Sequence, residues 1–99
     1  MTVEEISFED KLQLNVKGKV DAISAPDFQN AVLKAFVKSA DVIINFGETT
    51  YISSAGLRAL LIGQKTAQSK GGSFTIINAN EGIIDVLRVT GLEKMLRVQ

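Results

Sequence analysis

"DVIINFGETTYISSAGLRALL", residues 41–61, is the stretch on which the fold turns. Residues 41–46 form a continuous apolar run of strand length, rich in β-branched side chains. That predicts a central strand covered on both faces. From residue 57 the pattern becomes that of an apolar helix. Between the two lies Ser53-Ser54-Ala55-Gly56, a knot of small residues. A strand-to-helix turn here puts two hydroxyls at the carboxyl end of the strand, at the mouth of a helix.

On the amino-terminal side, "KLQLNVKG" (residues 11–18) alternates cleanly. Leu12, Leu14 and Val16 face one way and Gln13, Asn15 and Lys17 the other, as in a half-exposed strand. Gly18 reads as the turn that ends it. "VEEISF" (3–8) alternates less well and is expected to pair with it through a hairpin turn at Glu9-Asp10. "SAPDFQNAVLKAFVKS" (24–39) carries its own helix start: Ser24 and Asp27 at capping-box spacing, with Pro26 in the first turn. Phe28, Ala31, Val32, Ala35 and Phe36 then recur on one helical face.

On the carboxyl-terminal side, the helix through residues 57–70 is expected to stop at Gly71-Gly72, and "SFTIIN" (73–78) reads as a second buried strand. Asn80 should cap a short helix over 81–90, with Ile83, Ile84 and Leu87 inward and Gly91 as its stop. The tail "LEKMLRVQ" fits either an edge strand or a helical turn. The element order is ββαβαβα(β). It defines an α/β fold with a mixed central sheet of four to five strands: an opening β-hairpin, then alternating helices and strands joined by right-handed crossovers. One domain over residues 1–99 is expected.

Eleven basic and eleven acidic residues cancel, so no electrostatic argument favours nucleic acid or an anionic membrane as partner. With no cysteine, disulfides and thiolate metal sites are excluded. With no histidine, the commonest general base and metal ligand are missing. No apolar stretch approaches the roughly 18 residues of a membrane span, and "MTVEEISFEDK" does not read as a signal peptide. The expectation is a cytoplasmic domain without cofactor or metal. Nothing apolar is left over for an obligate dimer, so a monomer is expected.

The serine pair has a structural explanation in helix capping: Ser53 or Ser54 accepts one backbone N–H bond, worth about 1 kcal/mol, and Gly56 allows close packing or a tight turn. A cap accounts for one serine and leaves the other. Nucleophilic catalysis fails, because "SSAG" is not G-x-S-x-G, no histidine exists, and Gly56 and Leu57 occupy the lysine place of S-x-x-K. "KGKVD" lacks the frame of a nucleotide loop. A helix N-terminus, with free N–H groups and partial positive charge, does tolerate a phosphate. Asp21 is expected on the same rim as Ser54 if the two strands are neighbours.

Taken in order, G-x-V-D, a capped helix, an apolar strand, "YISSAGLRALL", "GGSFTIIN" and "VLRVTGL" resemble the STAS domain. More narrowly, they resemble single-domain bacterial anti-sigma factor antagonists, from about Val3 to Val98. The resemblance implies a non-enzymatic, phospho-switched binding module. Such antagonists bind an anti-sigma factor that is also a serine kinase and so free a sigma factor. They let go when phosphorylated, and a PP2C-like phosphatase resets them. Against the D-S-S-G or D-S-T-G motif, Ser54 takes the place of the phosphorylated serine. Ser53 takes that of the preceding aspartate, and Ala55 that of the following Ser or Thr. The implied partner contacts are Asp21, Ser53, Ser54, Ala55, Gly56 and Arg58. The departure at Ser53 removes a carboxylate that Asp21 could supply. The resemblance also fits a STAS subunit of a larger assembly, a lipid-transport complex or stress-signalling scaffold, with Ser54 as an unmodified contact.

Overall fold

The computed structural model describes residues 1–99, with Phe8 described by its backbone alone. The chain forms β1 (Thr2–Phe8), β2 (Lys11–Val20), α1 (Ala25–Lys38), β3 (Asp41–Ile52), α2 (Ser54–Lys70), β4 (Ser73–Ile77) and α3 (Glu81–Val89). A 3-10 turn at Leu92–Lys94 and β5 (Arg97–Val98) follow. The tail is therefore both a helical turn and an edge strand. One sheet of five strands runs in the order β1-β2-β3-β4-β5. The β1–β2 pair is antiparallel across the Glu9-Asp10 turn, where Glu9 takes φ 55°. The other three pairings are parallel.

Because strand order follows chain order, crossovers of one hand all fall on the same face of the sheet. β3 is central, but it is covered on one face only. Val42, Ile44 and Phe46 are fully buried there, while Ile43 and Asn45 on the other face are half-buried. The continuous apolar run suggested two covered faces; the one-sided helical layer overrides it. The core is anchored by Phe28 against Phe46 and Phe36 against Phe74, with ring centroids 6.1 and 5.9 Å apart. Both are within the range of favourable aromatic pairs.

The open face is held by a ladder of amides across four strands' worth of chain. Asn15 Nδ2 donates to Glu4 Oε1 (3.2 Å), and Asn45 Nδ2 donates to Asn15 Oδ1 (2.9 Å). Asn78 Nδ2 in turn donates to Asn45 Oδ1 (3.0 Å). Of these residues, Asn15 sits where the half-exposed alternation of residues 11–18 put it.

β3 runs to Ile52, well beyond the apolar run that ends at Phe46. Between Asn15 and Val20 of β2 the register against β3 shifts twice, so twelve residues of β3 accompany ten of β2. Each shift is a β-bulge, which inserts a residue and breaks the period of two. Buried positions accordingly change from every second residue to Phe46, Thr49 and Ile52. Gly18 lies inside β2 at the second bulge with φ 90°, so it bends the strand instead of ending it. That conformation suits glycine.

Thr49 is 2% exposed, and its hydroxyl donates to the Val16 carbonyl at 2.7 Å. It satisfies a backbone acceptor at the first bulge. Thr49→Val keeps the shape and removes that hydroxyl donor from the core. The expected loss is about 2 kcal/mol of unfolding free energy, seen as a lower urea midpoint with unchanged slope. An unchanged midpoint would mean that the bulge carbonyl finds another donor.

The helix stops fall where expected, with Gly71 at φ 67° and Gly91 at φ 79°. Asn80 Oδ1 accepts from Ile83 N at 2.9 Å and caps α3. Ile83 and Leu87 are buried, but Ile84 is only half-buried, at the margin of the inward face.

Candidate functional site

The carboxyl ends of β2 and β3 lie side by side, with Val20 opposite Ile52 and Ser53 N donating to Val20 O at 2.8 Å. The chain therefore leaves both strands on one rim. Asp21 begins one loop and Ser53 the other, so Asp21 and Ser54 share this rim as expected.

Ser53 has extended backbone (φ −89°, ψ 173°), and its Oγ accepts from Gly56 N at 3.3 Å. It is the N-cap of α2 and is half-buried. Ser54 is the first residue of the helix and is exposed. Cap geometry thus separates two adjacent serines that look equivalent in sequence. One hydroxyl is used by the backbone and the other faces out. No acidic residue lies in the first turn of α2, so the positive end of its dipole is uncompensated.

Gly56 is buried. A Cβ there would stand 2.7 Å from Ile52 Cγ1 and 2.9 Å from Val20 Cγ1. The missing side chain lets the helix settle onto the ends of both strands, so Gly56 acts by packing and presents no side chain to a partner. Ala55 is half-buried and Arg58 is exposed one turn further along.

Asp21 organises the neighbouring loop. Its Oδ1 accepts from Ile23 N (3.1 Å) and Ser24 N (3.0 Å), and the Ser24 hydroxyl lies 3.1 Å away. Ser24 Oγ also reaches Lys19 O at 3.0 Å and accepts from Asp21 N at 3.0 Å. Ser24 does occupy the N-cap position of α1, but its side chain caps nothing in the helix. The Ser24/Asp27 capping box gives way to a turn built backward onto Asp21, a competition typical of short polar side chains.

These bonds, the Ser24 amide foremost and then its hydroxyl, hold the Asp21 carboxyl below its usual value of 3.8. A carboxyl depressed in the folded state stabilises the fold above its unfolded value, and that contribution is lost as pH falls through the folded value. Carbon-13 NMR should place the Asp21 carboxyl midpoint below 3.8, with the Ile23 and Ser24 amide shifts titrating alongside it. A midpoint at or above 3.8 would mean the turn is not formed in solution.

Two rim residues escape a sequence reading. Ile23 is 88% exposed and Tyr51 51%. Ile23 is visible in retrospect as the one large apolar residue in the polar turn "DAISAP". Tyr51 carries no signal, because the bulges of β3 have already broken the alternation that would assign its face. Among the described residues no cluster of His, Cys, Asp and Glu could hold a metal ion, and no helix is long and apolar enough to cross a membrane. What the rim offers chemically is a free hydroxyl on a helix N-terminus, framed by a carboxylate, a guanidinium and two exposed apolar side chains.

A five-strand mixed sheet with one helical layer, and a small-residue turn before its second helix, is the architecture of a known class. The family model for the STAS domain matches residues 3–99, and the chain belongs to that family. The anti-sigma-B factor antagonist of Bacillus subtilis is 28% identical over 90 residues, covering 91% of this chain and 83% of the relative. That of Staphylococcus epidermidis is 22% identical over 99 residues, covering 99% and 92%. Among solved structures, an anti-sigma factor antagonist from Mycobacterium paratuberculosis superposes with a TM-score of 0.88 at 18% identity, covering 98% of this chain and 83% of the other. The phosphorylated form of the Bacillus cell fate determinant SpoIIAA gives 0.77 at 14% identity, covering 99% and 91%. At such identities the superpositions establish the fold.

Proposed function

We propose that this chain is an anti-sigma factor antagonist, a non-enzymatic cytoplasmic module acting as a monomer. It binds an anti-sigma factor that is also a serine kinase and releases it when Ser54 is phosphorylated. One observation carries the reading: Ser53 gives its hydroxyl to the cap of α2, leaving Ser54 exposed at the same helix N-terminus. The relatives named anti-sigma-B factor antagonist support the partner class. A phosphate on Ser54 adds about −1.5 to −2 charges where the helix dipole and free N–H groups accommodate it. The fold survives, and an interface over the same spot does not. Asp21, Ser53, Ser54, Ala55 and Arg58 form the contact surface around the Gly56 seat, and Asp21 supplies the carboxylate that the aspartate at position 53 would bring. A PP2C-like phosphatase restores the binding form.

The test is a titration of the unmodified chain against the serine-kinase anti-sigma factors of its own cells, with ATP and then without. One of them should form a stable complex and, given ATP, transfer a single phosphate to Ser54 and dissociate. If none binds, the reading is wrong, and an assembly subunit with a static Ser54 contact replaces it.

A further inference from the structure

Arg58 lies four residues beyond Ser54 on α2, one turn along, and both side chains are exposed. Side chains at i and i+4 are neighbours about 5–6 Å apart, and an acid placed N-terminal to a base is the favoured order. The guanidinium has no ion pair or hydrogen bond among the described residues. It borders a groove of about 470 Å³ between α1 and α2, beside Ala22, Ala25, Pro26, Gln29 and Asn30. Among the described residues it is the one charged group lining that groove. Asp27 of α1 borders the opposite groove with Glu5 and Lys34. Asp21, across the rim, has one carboxylate oxygen committed to its own turn. No carboxylate in the first turn of α2 competes for the cation.

We propose that Arg58 is an intramolecular clamp for a phosphate on Ser54, a regulatory role that rests on the reading of Ser54 as the modified residue. The guanidinium pairs with two phosphate oxygens in the fork geometry that arginine favours. It draws the phosphate along the helix toward the α1–α2 groove. Phosphorylation then changes the rim twice over: it adds an oxyanion, and it withdraws a free cation that the unmodified protein offers to a partner. Arg58 is a positioning residue for the phosphate and takes no part in its transfer.

The experiment uses the full chain with phosphoserine installed at position 54 during translation, followed by phosphorus-31 NMR against pH. A cation beside the phosphate favours the dianion and lowers its second ionisation. Arg58→Gln should therefore raise the titration midpoint by roughly 0.3 pH unit. Arg58→Lys should keep most of the parent value, and 1 M salt should narrow the gap between parent and Arg58→Gln. If Arg58→Gln titrates with the parent, the clamp is refuted. Because the phosphate is built in, the outcome is independent of any kinase. Absence of phosphate from Ser54 in cells would refute the proposed switch instead, and would leave this titration untouched.

Discussion

Ser54→Asp is expected to weaken binding to the kinase-type anti-sigma factor by about thirtyfold or more, while its unfolding free energy stays within about 1 kcal/mol of the parent. The two expectations come from the same position. A carboxylate on the first residue of α2 meets the unpaired N–H groups and positive end of the helix, which stabilises by about 0.3–1 kcal/mol. Ser54 is exposed, so no packing is lost. In a complex the same charge is pressed against a surface fitted to a neutral hydroxyl and draws Arg58 away from the partner, and a mismatched charge at an interface costs about 2–5 kcal/mol, equivalent to one and a half to more than three decades in affinity. Calorimetric titration and urea unfolding of one preparation read both quantities. Loss of the fold would make Ser54 a structural residue. Parent-like affinity would place it outside the interface.

The second large effect belongs to Gly56→Val, which should cost about 3 kcal/mol of stability. Its backbone is ordinary helix, so strain in φ is not the cause. The cause is packing: a Cβ would stand under 3.0 Å from carbons of both Ile52 and Val20, which are 4% and 0% exposed and cannot swing away. Overpacking of this kind costs about 1–3 kcal/mol for added methylenes and more when both neighbours are fixed. Gly56→Ala should fall lower in the same range. Near-parent stability for the valine variant would show that α2 can lift from the strand ends. The seat that holds Ser54 at the rim would then be soft.

Much of this fold is visible in the chain because most of it is periodic. Leu12, Leu14 and Val16 announce β2, and Phe28, Val32 and Phe36 announce the inward face of α1. Asn80 and Gly91 mark the two ends of α3. Where period fails, legibility fails with it. The last six residues of β3 are hidden by two bulges, which turn an alternation into the spacing Phe46, Thr49, Ile52. Ile43 and Asn45 look like parts of one buried run because apolar character alone does not say which face the helices cover. That follows from strand order, a property of the whole sheet.

The site divides in the same way. Position on the rim was readable from a strand-to-helix turn of small residues, and Asp21 from its place at the end of a neighbouring strand. Which serine is free was not readable, since it depends on a single hydrogen bond from Gly56 N to Ser53 Oγ. The Asp21–Ser24 turn was hidden for a similar reason. Serine three residues before an acid reads forward as a capping box, but here it folds back onto the carboxylate behind it.

Phosphopeptide mapping of the chain isolated from its own cells, in growth and under stress, decides whether Ser54 is the switch. A single phosphate is expected, on Ser54, whose occupancy changes between the two conditions while Ser53 stays unmodified. Phosphate on Ser53, or none on either serine in both conditions, would contradict it.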